Sequence, residues 1–148
     1  MTFDFSEFKN KKIIVTGSST GIGFETGIEF LNLGSNVIFH GNQSINDLEA
    51  RVKTKSQSQN FKIFKSDFTE LSQVDDFMNN AINYLDGLDI LINNAGTMVG
   101  RYQLDTISEK DFLKIFDLNA KSAYFSTKSA CTIFKKQNYG NIINVSTI

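Results

Sequence analysis

The chain has 148 residues, with 15 basic and 16 acidic side chains and a single cysteine. This balance excludes the broad basic surface that nucleic-acid binding needs, and a lone cysteine excludes an internal disulfide bond. No apolar run is long enough to cross a bilayer, and the acidic, aromatic N-terminus does not look like a secretory signal. We therefore expect a single-domain cytoplasmic protein with no nucleic-acid or membrane partner and no metal site.

The first predicted element is a buried strand over about residues 12–16, followed by a turn rich in glycine. Gly17, Gly21 and Gly23 punctuate this turn, and a helix is predicted from about Gly21 to Leu33. The free N–H groups at the start of a helix carry partial positive charge and suit a phosphate or diphosphate. The alternative is an ordinary strand-to-helix turn that binds no ligand.

The remaining chain alternates predicted strands with predicted helices. In chain order the elements are strand two (Asn36–His40), a short helix (Asp47 to about Lys55), strand three (Phe61–Lys65), a helix over 71–85, strand four (Leu88–Ile92), a long helix that Ser108 caps and that runs to about Lys136, and strand five (Asn141–Val145). Since the strands are apolar on both faces, the pattern predicts an α/β fold in which helices cover both sides of a parallel sheet.

Polar and glycine clusters follow every predicted strand, at 17–23, 40–42, 67–68, 93–96 and 146–147. The carboxyl ends of parallel strands lie at one edge of the sheet, which is where such folds bind ligands. The co-location of these clusters predicts a binding site at this edge.

With these motifs in this order, the whole chain resembles the N-terminal part of the short-chain dehydrogenase/reductase family, and in particular β-ketoacyl-acyl-carrier-protein reductases and their sugar- or polyol-dehydrogenase relatives. The resemblance implies a Rossmann-type doubly wound sheet in the order 3-2-1-4-5. It also implies an NAD(P)-dependent oxidoreductase that transfers hydride to or from a small-molecule carbonyl or secondary alcohol.

The resemblance assigns cofactor contacts to four segments. Asp67 and Phe68 match the adenine side of the family's site, and Asn42 lies at the tip of strand two. The other cofactor-binding candidates are Gly17, Ser19, Thr20, Gly21, Ile22 and Gly23 in the turn and Asn94, Ala95 and Gly96 after strand four. A structural role is the alternative for several of them, because Asp67 is able to cap a helix and Asn94 to hold a turn through its own hydrogen bonds.

The same resemblance assigns catalytic roles to Asn119, Ser146 and Thr147. The family's carbonyl-polarising serine falls in register on Thr147, whose hydroxyl donates the same hydrogen bond but whose methyl group narrows the site. The family's Tyr-x-x-x-Lys acid pair lies beyond the last residue of this chain. We therefore expect the 148-residue chain alone to be inactive, which leaves a non-catalytic dinucleotide-binding module or an inactive truncated product as alternatives. By resemblance, the helix over 108–136 is also expected to mediate homo-oligomerisation.

Cofactor preference depends on the tip of strand two. NAD-binding sheets usually end this strand with an acid that binds the ribose hydroxyls, whereas His40, Gly41 and Asn42 stand here. The absence of an acid favours NADP over NAD, although Thr20 stands where NADP-binding relatives often carry arginine. We expect His40 to be a packed or solvated histidine and not a catalytic one.

Overall fold

The structure is a computed structural model that describes residues 4–42, 44–98, 100, 101, 103 and 105–146. Its centre is a parallel five-stranded sheet in the order β3-β2-β1-β4-β5. The strands are β1 (Lys12–Val15), β2 (Asn36–Gly41), β3 (Phe61–Lys65), β4 (Ile90–Asn93) and β5 (Asn141–Asn144). The predicted fold class and strand order are confirmed.

Helices cover both faces of this sheet. They are a 3-10 turn (Ser6–Phe8), α1 (Gly21–Asn32), α2 (Ile45–Lys55), α3 (Leu71–Leu85), α4 (Glu109–Phe116) and α5 (Ser122–Gln137). Alternate residues of β1 enter opposite cores, because successive side chains of a strand point to opposite faces. Ile13 and Val15 pack with α1 and α2, whereas Ile14 packs with α3 and with Ala130 of α5. No helix in the described part of the chain is both long and apolar enough to span a membrane.

The predicted strand and helix limits need small corrections. Helix α2 starts at Ile45 and not at Asp47, because Ser44 caps it by accepting a hydrogen bond from the Asp47 amide. Strand β4 starts at Ile90 and not at Leu88, and β2 extends one residue beyond His40 to Gly41.

The single long helix predicted from Ser108 to Lys136 is wrong in its middle. A π-helical turn at Asp117–Lys121 separates α4 from α5. In that turn the Asn119 side-chain amide donates to the carbonyl of Ile115 at 2.8 Å. Directly after it, at the start of α5, the Ser122 hydroxyl donates to the carbonyl of Leu118 at 2.6 Å. Polar side chains that bind the helix's own carbonyls compete with the regular backbone ladder, so the helix widens where they occur.

Strand β5 lies at the edge of the sheet, and its apolar side chains are only partly covered. Ile143 is 46% exposed, and Val145, just beyond the strand, is 41% exposed. The sheet of this chain therefore has an exposed apolar edge at β5. Near the N-terminus, Phe8 packs edge-on against Phe30 of α1 and so attaches this segment to the body of the domain.

Candidate functional site

A cleft of about 720 Å³ opens at the carboxyl edge of the sheet. It is lined by ten of the predicted cofactor residues, namely Gly17, Ser19, Thr20, Ile22, Asn42, Asp67, Phe68, Asn94, Ala95 and Gly96. The structure thus brings together residues from four separate loops. Gly21 and Gly23 do not line the cleft, but they form the first turn of α1 directly beside it.

The N-terminus of α1 is open. Thr20 is the N-cap residue, yet its side chain makes no capping hydrogen bond, whereas serine side chains cap α2 and α4. Among the described residues, the backbone amides of Gly21, Ile22 and Gly23 have no hydrogen-bond acceptor, while the next amide, of Phe24, donates to the Thr20 carbonyl at 3.3 Å. These unpaired donors and the helix dipole make this end of α1 suitable for an anion.

Asn94 fastens the glycine turn to the end of β4. Its side-chain amide donates to the carbonyls of Thr16 and Gly17 at 3.1 and 3.0 Å. In return, the Thr16 hydroxyl accepts from the backbone amides of Asn94 and Ala95, both at 3.0 Å. A Cβ atom on Gly23 would lie 2.2 Å from the Asn94 amide nitrogen, so this position admits only glycine without displacement of the turn.

Asp67 presents a carboxylate at the opposite side of the cleft. Its Oδ1 atom accepts from the backbone amide and the hydroxyl of Thr69 at 3.0 and 2.8 Å. Partial burial opposes ionisation, but these hydrogen bonds, one from the Asn42 side chain and the charge of Lys114 together hold the pKa of Asp67 below its ordinary value. The group is therefore an anionic acceptor, which suits the exocyclic amino group of an adenine.

His40 is buried behind the cleft. The His40 ring stacks on the Phe68 ring with centroids 3.9 Å apart. Phe68 is almost wholly buried and contributes to the cleft wall from inside the core. Nδ1 of His40 accepts from the Gly17 amide at 2.9 Å, and Nε2 lies 3.1 Å from the Ser66 carbonyl. Burial lowers the pKa of His40 to about 4, so the ring is neutral at physiological pH. The expectation of a packed histidine agrees with this geometry.

A second, smaller pocket of about 380 Å³ adjoins the cleft and contains two of the predicted catalytic residues, Asn119 and Ser146. The Asn119 side-chain amide donates to the Thr97 carbonyl at 2.9 Å, and a Cβ atom on Gly96 would lie 2.7 Å from its oxygen. Thr147, the third predicted catalytic residue, lies outside the described residues.

The floor of this pocket contains a buried acceptor without a partner. Asn93 donates through its amide nitrogen to Thr127 and Asn144, both at 2.9 Å, but its side-chain oxygen has no hydrogen-bond donor within the described residues. Tyr124 also borders the pocket, yet Lys128, four positions further along α5, lies over the Phe125 ring at 5.5 Å. These contacts give no sign that Tyr124 and Lys128 act as a pair.

Sequence reasoning missed two cations, one in the cleft and one beside the glycine turn. Lys114 of α4 lines it. Arg51 of α2 reaches across to the glycine turn, where its guanidinium donates to the Ser19 carbonyl at 2.6 Å and covers the Phe24 ring at 4.4 Å. No sequence motif marks either residue, because their positions near the site depend on how α2 and α4 pack against the sheet.

Comparison with known proteins agrees with this geometry. The sequence profile of the family described as "short chain dehydrogenase" matches residues 11–148. A sorbose reductase of Schizosaccharomyces pombe is 33% identical over 146 residues, covering 97% of this chain and 56% of that protein. A Yarrowia lipolytica protein named "Probable NADP-dependent mannitol dehydrogenase" is 32% identical over 136 residues, covering 91% of this chain and 49% of that protein. The chain thus spans about half the length of the curated relatives it matches.

Solved structures share the fold. The crystal structure of an NADH-dependent reductase, A1-R′, complexed with NAD has a TM-score of 0.85 and 28% identity, over 98% of this chain and 63% of that one. A metagenomic short-chain oxidoreductase complexed with NADP also has a TM-score of 0.85, over 95% of this chain and 64% of that one; at 20% identity it demonstrates likeness of fold alone.

Proposed function

Because this chain belongs to the short-chain dehydrogenase family, we propose that it is the NAD(P)-binding part of an oxidoreductase acting on a small-molecule carbonyl or secondary alcohol. The observation that carries the proposal is the open N-terminus of α1, whose unpaired amides stand beside the cleft. When bound, the nicotinamide supplies or accepts the hydride.

The residues present fit a dinucleotide. The diphosphate would be held by the amides at the start of α1, and the adenine by the Asp67 carboxylate and the loop that carries it. Gly17 adopts a φ of +60°, and a Cβ there would meet Ala95 at 2.6 Å, so the turn and the loop after β4 are in direct contact. This close packing supports a continuous site from the diphosphate to the Asn94–Gly96 segment, where the nicotinamide would lie.

We propose that NADP is preferred over NAD. The tip of β2 carries no acid to bind the ribose hydroxyls, and Arg51 adds a cation beside Ser19, close to that tip. No carboxylate of the described residues lies within ion-pair distance of Arg51, so its charge is free to balance a 2′-phosphate. The Yarrowia relative is named as a probable NADP-dependent dehydrogenase, which accords with this preference.

The catalytic assignments remain proposals. In this scheme the hydroxyl of Thr147, or of Ser146, donates a hydrogen bond that polarises the substrate carbonyl, and Asn119 holds a water molecule that relays a proton. Reduction of a carbonyl also needs a proton donor within reach, and all four tyrosines of the 148 residues precede Ser146. We therefore propose that these 148 residues bind the cofactor but do not turn over substrate on their own.

We further propose that residues 1–148 form one cofactor-binding domain and that the protein resides in the cytoplasm.

We also propose, as the last point, that the protein self-associates through the helix over 108–136. Phe112 and Phe116 support the last point, since both are more than half exposed on one face of α4 and their rings are stacked. Exposed aromatic patches of this kind are typical of interaction surfaces.

The test is a fluorescence titration of the purified 148-residue chain with NADPH and with NADH, combined with an assay of nicotinamide absorbance in the presence of ketoses, polyols and β-ketoacyl substrates. We expect saturable binding, tighter for NADPH, and no turnover. Absence of binding at saturating cofactor contradicts the proposed function, and robust turnover contradicts the proposed inactivity. A coding sequence that continues from residue 148 into a Tyr-x-x-x-Lys pair favours the enzyme over a non-catalytic binding module.

A further inference from the structure

His40 makes two hydrogen bonds that only one form of its ring satisfies. A backbone N–H only donates, so Nδ1, at 2.9 Å from the Gly17 nitrogen, is an unprotonated acceptor. A backbone carbonyl only accepts, so Nε2, at 3.1 Å from the Ser66 oxygen, bears the hydrogen. The geometry therefore selects the neutral tautomer protonated at Nε2.

These two bonds connect the two halves of the cleft. Gly17 begins the glycine turn, and Ser66 immediately precedes Asp67 on the adenine side. The His40 backbone adds a reciprocal pair with Ser18, in which the His40 amide donates to the Ser18 hydroxyl and the Ser18 amide donates to the His40 carbonyl, both at 2.8 Å. The side chain and backbone of His40 thus form hydrogen bonds with both the glycine turn and the loop that starts at Ser66.

The ring itself is held rigidly. It is 4% exposed, stacks on Phe68 at 3.9 Å and meets the edge of Phe77 at 4.8 Å. A displaced imidazole would leave the partly buried Gly17 amide without its acceptor in the protein, which weakens the restraint on the glycine turn. The position of Gly17 therefore depends on that of His40.

We propose that His40 is a positioning residue for the adenosine diphosphate half of the cofactor, and that the unprotonated Nδ1 of its Nε2-protonated tautomer fixes the position of the Gly17 amide in the glycine turn. This inference rests on the proposed function. His40 borders the cleft, but in this role it acts through the Gly17 amide and not through contact with the cofactor. This makes it a positioning residue and not a catalytic one. The competing explanation is that the ring merely fills the core.

Three substitutions separate the two explanations. His40→Phe keeps an aromatic ring of similar size for the stack on Phe68 but has neither nitrogen. His40→Asn places a carbonyl oxygen near the position of Nδ1 and so restores the acceptor for Gly17. His40→Gln places an amide near the position of Nε2, which restores the donor to Ser66 and leaves the Gly17 amide unpaired.

The experiment measures calorimetric binding of ADP, NADPH and NADH to the 148-residue chain and to each variant, with thermal melts to establish folding. We expect ADP affinity within about threefold of the parent for His40→Asn, and about tenfold weaker for His40→Phe and His40→Gln. Should His40→Phe fail to fold, the comparison of His40→Asn with His40→Gln decides. Equal affinity in all folded variants, or an equal loss in all of them, overturns the inference in favour of core filling.

A spectroscopic readout is independent of affinity. His40 is the only histidine of the chain, so nitrogen-15 spectra of the imidazole need no assignment. We expect an unprotonated Nδ1 and a protonated Nε2 at neutral pH, and the opposite tautomer overturns the inference. A parent chain that has this tautomer but binds neither ADP nor NADPH nor NADH contradicts the proposed function, and the positioning role falls with it.

Discussion

Arg51 places a positive charge beside the glycine turn, with its guanidinium 2.6 Å from the Ser19 carbonyl. A 2′-phosphate at this rim gains a charge-assisted hydrogen bond from such a group, whereas a 2′-hydroxyl gains little. The side chain is exposed and also covers the Phe24 ring, so its removal affects local packing less than a buried substitution does.

We predict that Arg51→Gln weakens NADPH binding about tenfold and leaves NADH binding within about twofold. Lys53→Gln is the matched control, because it removes the same charge from the same helix but from a residue paired with Glu49. Fluorescence titration with each cofactor measures the ratio of the NADPH affinity to the NADH affinity in each variant. An equal loss for both cofactors contradicts the assignment of Arg51 to the phosphate of NADP.

His40 makes stability depend on pH. Burial lowers its pKa from 6.5 to about 4, although the Ser66 carbonyl and the nearby Asp67 carboxylate oppose this shift. Between these two values the unfolded chain binds a proton that the folded chain does not, so the free energy of unfolding decreases as the pH falls through this range. The stability that the folded chain gains by burying a neutral His40 ring is therefore fully present above about pH 6.5 and fully lost near pH 4.

We predict that the parent chain loses about 2 kcal/mol more stability than His40→Asn when the pH is lowered from 8 to 5. Urea unfolding at the two pH values measures the difference, and the comparison between the two proteins removes the effect of the carboxylates. A parallel decrease in both proteins contradicts the assignment of this pH dependence to His40.

At the scale of elements, the first turn of α1 is fixed by its contact with the loop after β4. Gly23 faces the Asn94 side chain, which is itself held by two hydrogen bonds to the turn. Alanine normally stabilises a helix relative to glycine, by up to about 1 kcal/mol. Here the added methyl group displaces Asn94 and meets the Gly17 carbonyl at 2.8 Å, so steric conflict outweighs the gain.

We predict that Gly23→Ala lowers the free energy of unfolding by about 1–3 kcal/mol and weakens cofactor binding more than tenfold. Glu29→Ala, on the exposed face of the same helix, is the control and should leave both quantities nearly unchanged. Chemical denaturation and calorimetry measure them. A stabilised Gly23→Ala chain with normal affinity contradicts the tight contact described for this turn.

The helices and strands also show which features of the fold could be predicted from the sequence. Buried strands and the start of α4 were predictable because their signals are local: Ser108 caps its helix, and Ile13 to Val15 form a continuous apolar run. The π turn was not, because only the folded chain shows that the Asn119 amide bonds to the Ile115 carbonyl, and also to Thr97, which is distant in the sequence. Arg51 escaped notice for the same reason, since only the packing of α2 brings it to Ser19.

For the whole molecule, two groups of exposed apolar side chains lie on α4 and at β5. Phe112, Leu113 and Phe116 are between 48% and 55% exposed, and the rings of the two phenylalanines stack with centroids 6.4 Å apart. Neither phenylalanine lines the cofactor cleft. This separation allows self-association and cofactor binding to be tested independently.

We predict that the double substitution of Phe112 and Phe116 by serine shifts the chain toward a monomer, because it removes the aromatic patch without touching the cleft. Light scattering coupled to size-exclusion chromatography measures the mass, and Tyr84→Ser, an equally exposed aromatic on α3, serves as the control. An unchanged mass distribution in the double variant excludes this face of α4 as the interface.

The account as a whole depends on the unpaired amides at the start of α1, and amide chemical shifts measured during a titration with ADP test this most directly. We predict that the largest shifts occur at Ile22 and Gly23, with smaller ones at Asp67 and its neighbours, and that residues of α3 remain unaffected. Saturable ADP binding that leaves Ile22 and Gly23 unshifted, or the absence of any binding, contradicts the account.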